Sequence, residues 1–151
     1  MQVSAVATGR PSGDEIPMLR KACTTQQLVM WAGSSGDFYQ IHYDEEFARG
    51  TGLDGIIVHG GLKNAFLGQL LHDWVAPDGM IRRFGCQYRG MDYPNQELVC
   101  RGVVTRKYED GDRALVDLEI WTENAAGKRT GWAGVLLGVG ALDRETEVPP
   151  V

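Results

Sequence analysis

The chain has 151 residues, which suits a single domain and is long enough to bury a core without disulfides or metals. Its formal net charge of −5 argues against nucleic-acid binding, which needs a basic surface to displace phosphate counterions. The three cysteines are widely spaced and form no CxxC pair. We therefore expect buried thiols in a reducing compartment and a cytoplasmic protein. The sequence shows no signal-peptide pattern and no apolar run long enough to span a bilayer, so no membrane association is predicted.

Two short helices are predicted in the first third of the chain. Residues 1–16 have the composition of a loose arm or an entry strand. Thr24 and Gln27 match a capping box, which predicts a helix over about residues 25–33. Asp44 is a candidate N-cap for a second short helix, which the following glycines end.

A long helix is predicted directly after the His59-Gly60-Gly61 run. Apolar residues recur there at helical spacing and cover much of the circumference, which is typical of a central, buried helix. The stripe contains Leu62, Ala65, Phe66, Leu67, Leu70, Leu71, Trp74 and Val75.

From Met80 onward the apolar period changes to two. We predict strands near residues 81–91, 96–108, 113–123 and 129–141, separated by turn-forming residues. One long helix followed by an antiparallel meander is an α+β arrangement, in which a single sheet wraps around the helix. Such a sheet leaves exposed edges, so we expect dimerisation. The predicted domain covers residues 1–141, and residues 142–151 form a flexible tail.

The densest polar cluster of the chain contains Asp37 and His42, which lie five residues apart in a predicted irregular segment. A carboxylate and an imidazole so placed can hold one water, accept a proton from it and return a proton to a substrate. Imidazole suits this task because its unperturbed pKa lies near neutrality. The alternative is structural, with Asp37 capping a turn and His42 making a surface contact.

The start of the long helix is a second candidate site. Helix N-termini present amide groups without intrahelical acceptors, and glycine allows close approach to the backbone. The amides near Gly60 and Gly61 could therefore stabilise a developing oxyanion. The alternative is that glycine only avoids a clash there. His59 is expected to be a structural hydrogen-bonding residue rather than a base.

Two other groups of residues in the sequence could form binding sites. A two-histidine-one-carboxylate pattern, typical of iron sites, could be formed by His42 and Asp44 with either His59 or His72. Such short patterns often arise by chance. Four arginines on or near the early strands could contact the phosphates of coenzyme A or of a phosphopantetheine carrier, although a solvated sheet face is the more common explanation. These are Arg82, Arg83, Arg89 and Arg101.

Together the two clusters resemble the MaoC-like hydratase/dehydratase family. Its signature is Gly-Asp-x-Asn-Pro-aliphatic-His, followed after about fifteen residues by aliphatic-His-Gly at the start of the hot-dog helix. Here the stretches are 36–42 and 57–60, and the resemblance extends from about Leu28 to Gly140. Tyr39 and Gln40 replace the usual Asn-Pro, and Gly61 replaces a larger residue.

The resemblance implies a hot-dog fold and a hydro-lyase. Asp37 and His42 would form the catalytic pair. His59, Gly60 and Gly61 would form the oxyanion and substrate-binding segment, in which the amides at Gly60 hold the thioester carbonyl. The reaction would be the reversible hydration of a trans-2-enoyl thioester to a 3-hydroxyacyl thioester, usually of R configuration. The substrate would be an acyl-CoA or acyl-carrier thioester, and no metal or redox cofactor would be required. The missing Asn-Pro resembles a subgroup that acts on bulky steroid-side-chain thioesters and pairs with a second hot-dog subunit, so a homodimer or a heteromer is expected.

Two alternative functions remain at this point. His59-Gly60-Gly61 also resembles the His-Gly-Gly of hot-dog thioesterases, which place a carboxylate near the position of Gly68; the nearest candidate is Asp73. The other alternative is a non-catalytic subunit that completes the acyl tunnel of a partner.

Overall fold

The computed structural model describes residues 13–77, 79–111 and 113–139, without the side chains of residues 132–139. The predicted tail, residues 142–151, and most of the predicted N-terminal arm lie outside these residues. Within the described chain, three helices precede most of a five-stranded sheet. The helices are α1 (Thr25–Ser35), α2 (Glu45–Gly50) and α3 (Gly60–Val75). The strands are β1 (Leu19–Ala22), β2 (Gly79–Tyr88), β3 (Glu97–Asp110), β4 (Arg113–Asn124) and β5 (Arg129–Val139).

The sheet is antiparallel throughout, with the strand order β1-β3-β4-β5-β2. The four long strands agree with the predicted ones, because alternating side chains and turn residues mark each of them. Strand β1 was not predicted. It has only four residues and pairs with β3 at one edge, and residues 13–16 continue along the same strand through hydrogen bonds such as Ile16 N–H to Gly102 O (2.9 Å).

Both predicted short helices are present, and their caps use the expected residues. The Thr24 hydroxyl accepts from the amide of Gln27 (3.1 Å), and the Asp44 carboxylate accepts from the amide of Phe47 (2.9 Å). Helix α1 runs two residues beyond its predicted end and stops at Gly36, whose φ of 76° favours glycine.

Helix α3 packs against the inner face of the sheet and forms one core with it. The sheet contributes Val116, Leu118 and Ile120, which alternate along β4 as predicted and are at most 2% exposed. Most of the predicted helical stripe is buried, but Ala65 is exposed and Lys63 takes a core position. The apolar surface of α3 therefore covers only the side of the helix that faces the sheet, and the charged Lys63 is buried within it.

The cysteines match the prediction of buried thiols only in part. None is in a disulfide, and Cys23 and Cys100 are buried. Burial raises the pKa of Cys23 to about 11 and that of Cys100 to about 12, so both remain protonated and act as small apolar residues. Cys86, on the edge strand β2, was also expected to be buried but is partly exposed.

Among the described residues, no helix is both long enough and apolar enough to cross a bilayer.

Candidate active site at the N-terminus of the central helix

The loop after α1 carries Asp37 to the start of α3. The left-handed turn at Gly36 reverses the chain, and the amide of Asp37 then donates to the hydroxyl of Ser35 (3.3 Å). One carboxylate oxygen, Oδ1, accepts from the amide of Tyr39 at 3.4 Å. The other oxygen, Oδ2, faces His42, and the side chain is 48% exposed. Asp37 therefore presents one carboxylate oxygen that a ligand can reach.

His42 lies in a short 3₁₀ turn, Gln40–His42, and its side chain is 8% exposed. Its Nδ1 lies 2.8 Å from the carbonyl oxygen of Ile57, which can only accept, so Nδ1 carries the hydrogen. The neutral ring then has its free lone pair on Nε2, which is 3.9 Å from Asp37 Oδ2. This separation exceeds a direct hydrogen bond, but one water can bond to both atoms.

His59 is fully buried and contacts both of these residues. Its Nε2–H donates to the backbone carbonyl of Asp37 (3.2 Å), and its ring stacks on that of His42 with centroids 3.8 Å apart. Burial and, second, the neighbouring His42 lower the pKa of His59 below its ordinary value. The expectation that His59 is a structural hydrogen-bonding residue agrees with these contacts.

The amides at the start of α3 lie beside this group. Lys63 is the first residue whose amide bonds back to the helix start, at the carbonyl of His59 (3.2 Å). The amides of Gly60, Gly61 and Leu62 therefore have no acceptor within the helix. Gly60 is partly exposed and Gly61 is exposed, so this end of α3 is open to a ligand.

The two glycines also have a packing role. A Cβ on Gly60 would lie 2.9 Å from the ring of Tyr88, and one on Gly61 would lie 3.2 Å from the ring of Trp31. Both contacts are closer than a real side chain tolerates comfortably. The distances support the clash-avoiding explanation, more strongly at Gly60 than at Gly61, and they do not exclude a ligand at the amides.

A buried ion pair behind the helix start was missed by the sequence analysis. Lys63 Nζ donates to Asp92 Oδ2 and to the carbonyl of Gly90, both at 2.8 Å, and the two side chains are 2% and 5% exposed. The pair ties the first turn of α3 to the segment between β2 and β3. The available signal was a lysine four residues before Leu67, inside the predicted buried stripe.

The structure brings together His42 and His59 of the two-histidine-one-carboxylate pattern but not its other residues. The Asp44 carboxylate caps α2, and His72 is exposed in the last turn of α3, about 20 Å along the helix from His59 at 1.5 Å per residue.

A different group, Asp37, His42 and His59, brings its donor atoms within 4.8 Å of one another. Its geometry does not suit a shared ion, because the two rings are nearly parallel, with an angle of 22° between their planes. Imidazole lone pairs lie in the ring plane, so stacked rings cannot both direct one at an ion about 2 Å from each nitrogen.

The carboxylate expected of a thioesterase is not near the site. Gly68 carries no side chain, and Asp73 is exposed about 20 Å along α3 from Gly60. Of the arginines, Arg101 pairs with Glu123 (3.1 Å) and Arg89 donates to the side chain of Gln87 (2.8 Å). Arg82 and Arg83 are exposed on β2.

Comparison with solved structures confirms the hot-dog fold. The chain is similar to the ChsH1–ChsH2 complex from Mycobacterium tuberculosis, with a TM-score of 0.74 and 23% identity over 85% of this chain and 97% of that one. It is also similar to the (R)-hydratase from A. caviae involved in PHA biosynthesis, with a TM-score of 0.75 and 20% identity over 87% and 98%.

Sequence comparison shows the family. The model of the MaoC-like domain matches residues 7–123, and the chain belongs to this family of hydratases and dehydratases. One relative, the fatty acid synthase beta subunit TOXC of Cochliobolus carbonum, is 37% identical over 78 residues. That match covers 50% of this chain and only 4% of the relative. At the level of the family, the activity is that of a hydro-lyase.

Proposed function

We propose that the chain catalyses the reversible hydration of a trans-2-enoyl thioester to an (R)-3-hydroxyacyl thioester. The observation that carries the proposal is the pairing of Asp37 Oδ2 with His42 Nε2 at 3.9 Å, beside the open amide end of α3. Both atoms are acceptors when His42 is neutral, so a water between them donates both hydrogens and turns a lone pair toward the substrate.

Hydration forms a C–O bond at C3 and a C–H bond at C2 of the enoyl group. The water oxygen attacks C3 while one member of the pair takes a proton from it, and the pair then passes that proton to C2, so that both of its members return to their starting state. Negative charge develops meanwhile on the thioester oxygen. The amides at Gly60 and Gly61 and the positive end of the helix dipole would stabilise it. Dehydration is the same sequence reversed.

Exposed aromatic side chains surround the Asp37–His42 pair. They favour a site that is covered by a second subunit or by a long acyl group. Phe38 and Tyr39 are 59% and 55% exposed on the same loop, and Tyr88 beside Gly60 is 49% exposed. Large apolar side chains clustered at one surface mark an interaction site. We propose a hot-dog dimer, with an identical or a different partner, in which this face is buried. Light scattering gives the mass of the purified protein and so tests whether it is a dimer. The same measurement on the chain together with any protein that co-purifies with it tests for a different partner.

The substrate class proposed is an acyl-CoA or acyl-carrier thioester of fatty acid or steroid metabolism. The similarity to a fatty acid synthase subunit supports a substrate of fatty acid metabolism. The departure from Asn-Pro at Tyr39 and Gln40 supports bulkier acyl groups by analogy.

One assay distinguishes hydration from hydrolysis. With crotonyl-CoA, hydration removes the enoyl absorbance without releasing thiol, whereas a thioesterase releases thiol. Asp37→Asn and His42→Ala should each lower the rate by about two to four orders of magnitude. Glu46→Gln and His72→Ala, which change exposed residues of the same types elsewhere, are matched controls and should retain the rate. Full activity of both site variants would contradict the proposal and, if it needs a partner subunit, would favour a non-catalytic role for this chain.

A further inference from the structure

We propose that His59 is a positioning residue that fixes both members of the Asp37–His42 pair, each through a different part of its ring. The inference rests on the proposed hydration only for its catalytic consequence, because the contacts can be tested without a substrate.

The edge of the His59 ring holds the loop that carries Asp37. Its Nε2–H donates to the Asp37 carbonyl (3.2 Å), which joins the start of α3 to the first part of the loop. The end of the loop is joined separately to Ile57, through Ile41 and His42. The hydrogen bonds of Asp37 go to Ser35 and Tyr39, both within two residues in sequence, at 3.3 and 3.4 Å. Of the long-range hydrogen bonds in the loop, the Nε2–H bond is the one made at Asp37 itself, and it sets where the carboxylate lies relative to the helix.

The face of the same ring holds His42. The Nδ1–H bond to Ile57 fixes one atom of the His42 ring and leaves rotation about that bond. The His59 ring lies flat against His42 at 3.8 Å, and Tyr39 meets it edge-on with centroids 6.4 Å apart. The stacking contact and the edge contact together restrain the ring plane, and thus the direction of Nε2.

The second ring nitrogen of His59 indicates why this position is a histidine rather than an apolar residue. Nδ1 is buried and has no hydrogen-bond partner. A buried nitrogen without a partner destabilises a fold, so an apolar side chain would serve packing alone better. Histidine combines a small flat ring with a donor at its far end, and no apolar residue of that size offers both.

Two variants separate the two contacts. His59→Phe keeps a flat ring for stacking and removes the donor, whereas His59→Gln keeps a donor near the Nε2 position and removes the ring. Val116→Ala, in β4, is a control for loss of core stability without a change at the site. The readouts are hydrogen–deuterium exchange of residues 36–42 and, with crotonyl-CoA, kcat and KM separately.

His59→Phe should raise amide exchange around Asp37 by about five- to tenfold, the factor that corresponds to one lost hydrogen bond. His59→Gln should leave that exchange closer to wild type. Both variants should lower kcat by about tenfold to a hundredfold through misplacement of the pair, with little change in KM. Val116→Ala should change neither exchange in this loop nor kcat.

Wild-type exchange of residues 36–42 in both His59 variants would overturn the inference, and so would a kcat that falls only as far as in Val116→Ala. If the wild-type protein hydrates no enoyl thioester, the proposed function fails. The exchange comparison then still decides whether His59 positions the pair.

Discussion

The ammonium nitrogen of Lys63 lies 2.8 Å from a carboxylate oxygen of Asp92, and both side chains are almost fully buried. Removal of one partner leaves an uncompensated charge in the core, so Lys63→Met should lower the free energy of unfolding by about 3–5 kcal/mol. The double variant Lys63→Met/Asp92→Asn should recover part of this loss, because no buried charge remains. Urea unfolding measures both.

The exposed pair Arg20–Glu97, also at 2.8 Å but with side chains 56% and 50% exposed, is the matched control. Solvent screens such a pair, so Arg20→Met should cost at most about 1 kcal/mol. Equal losses for Arg20→Met and Lys63→Met would show that burial does not strengthen the inner pair.

Gly60→Ala should impair the site more than Gly61→Ala. The new methyl group would lie 2.9 Å from the Tyr88 ring at position 60 but 3.2 Å from the Trp31 ring at position 61. Either the Tyr88 ring or the start of α3 must shift, and a shift of about 1 Å in a positioning element can cost a hundredfold in rate. We therefore expect the lower kcat/KM in Gly60→Ala.

If the loss arises because the Tyr88 ring pushes the start of α3 aside, the second change Tyr88→Ala should restore most of the rate, and no rescue would assign the loss to the methyl group itself. Full rescue by Tyr88→Ala would assign the loss to the ring clash. Equal kcat/KM values for the two glycine variants would contradict the ranking.

Stability should fall as the pH decreases through the range below His59's ordinary pKa of 6.5. The folded protein holds this pKa lower, because the ring is buried beside His42. The unfolded chain therefore binds a proton first, and the stabilisation is complete above pH 6.5 and is lost as the pH falls toward the folded-state pKa.

Replacement of His59 by Gln should flatten this part of the pH dependence, whereas His72→Gln, at an exposed position, should leave it unchanged. Urea unfolding at a series of pH values between 7 and 5 makes the comparison. A wild-type slope retained in His59→Gln would show that other groups cause it.

The sequence predicted most of the elements because their signals are local. The caps at Thr24 and Asp44 and the alternation along β4 depend on neighbouring residues only. Strand β1 was missed because it is short and is stabilised by pairing with β3, which is far along the chain. Tertiary contacts of this kind leave no periodic pattern.

At the site, the spacing of Asp37 and His42 indicated that they meet, and the structure brings them to 3.9 Å. It could not indicate that His59 stacks on His42, because this contact depends on the loop turning back at Gly36. The Lys63–Asp92 pair was missed for the same reason: a lysine in an apolar stripe has a partner only once the chain has folded.

The central claim is that Asp37 and His42 act on one water, and a double-mutant cycle on the hydration rate tests it most directly. Asp37→Ala and His42→Ala should each lower kcat/KM for an enoyl thioester by about two to four orders of magnitude. The double variant should be about as slow as the slower single variant, because groups that serve one step are not additive. Additive losses in the double variant, or single variants as active as wild type, would contradict the account.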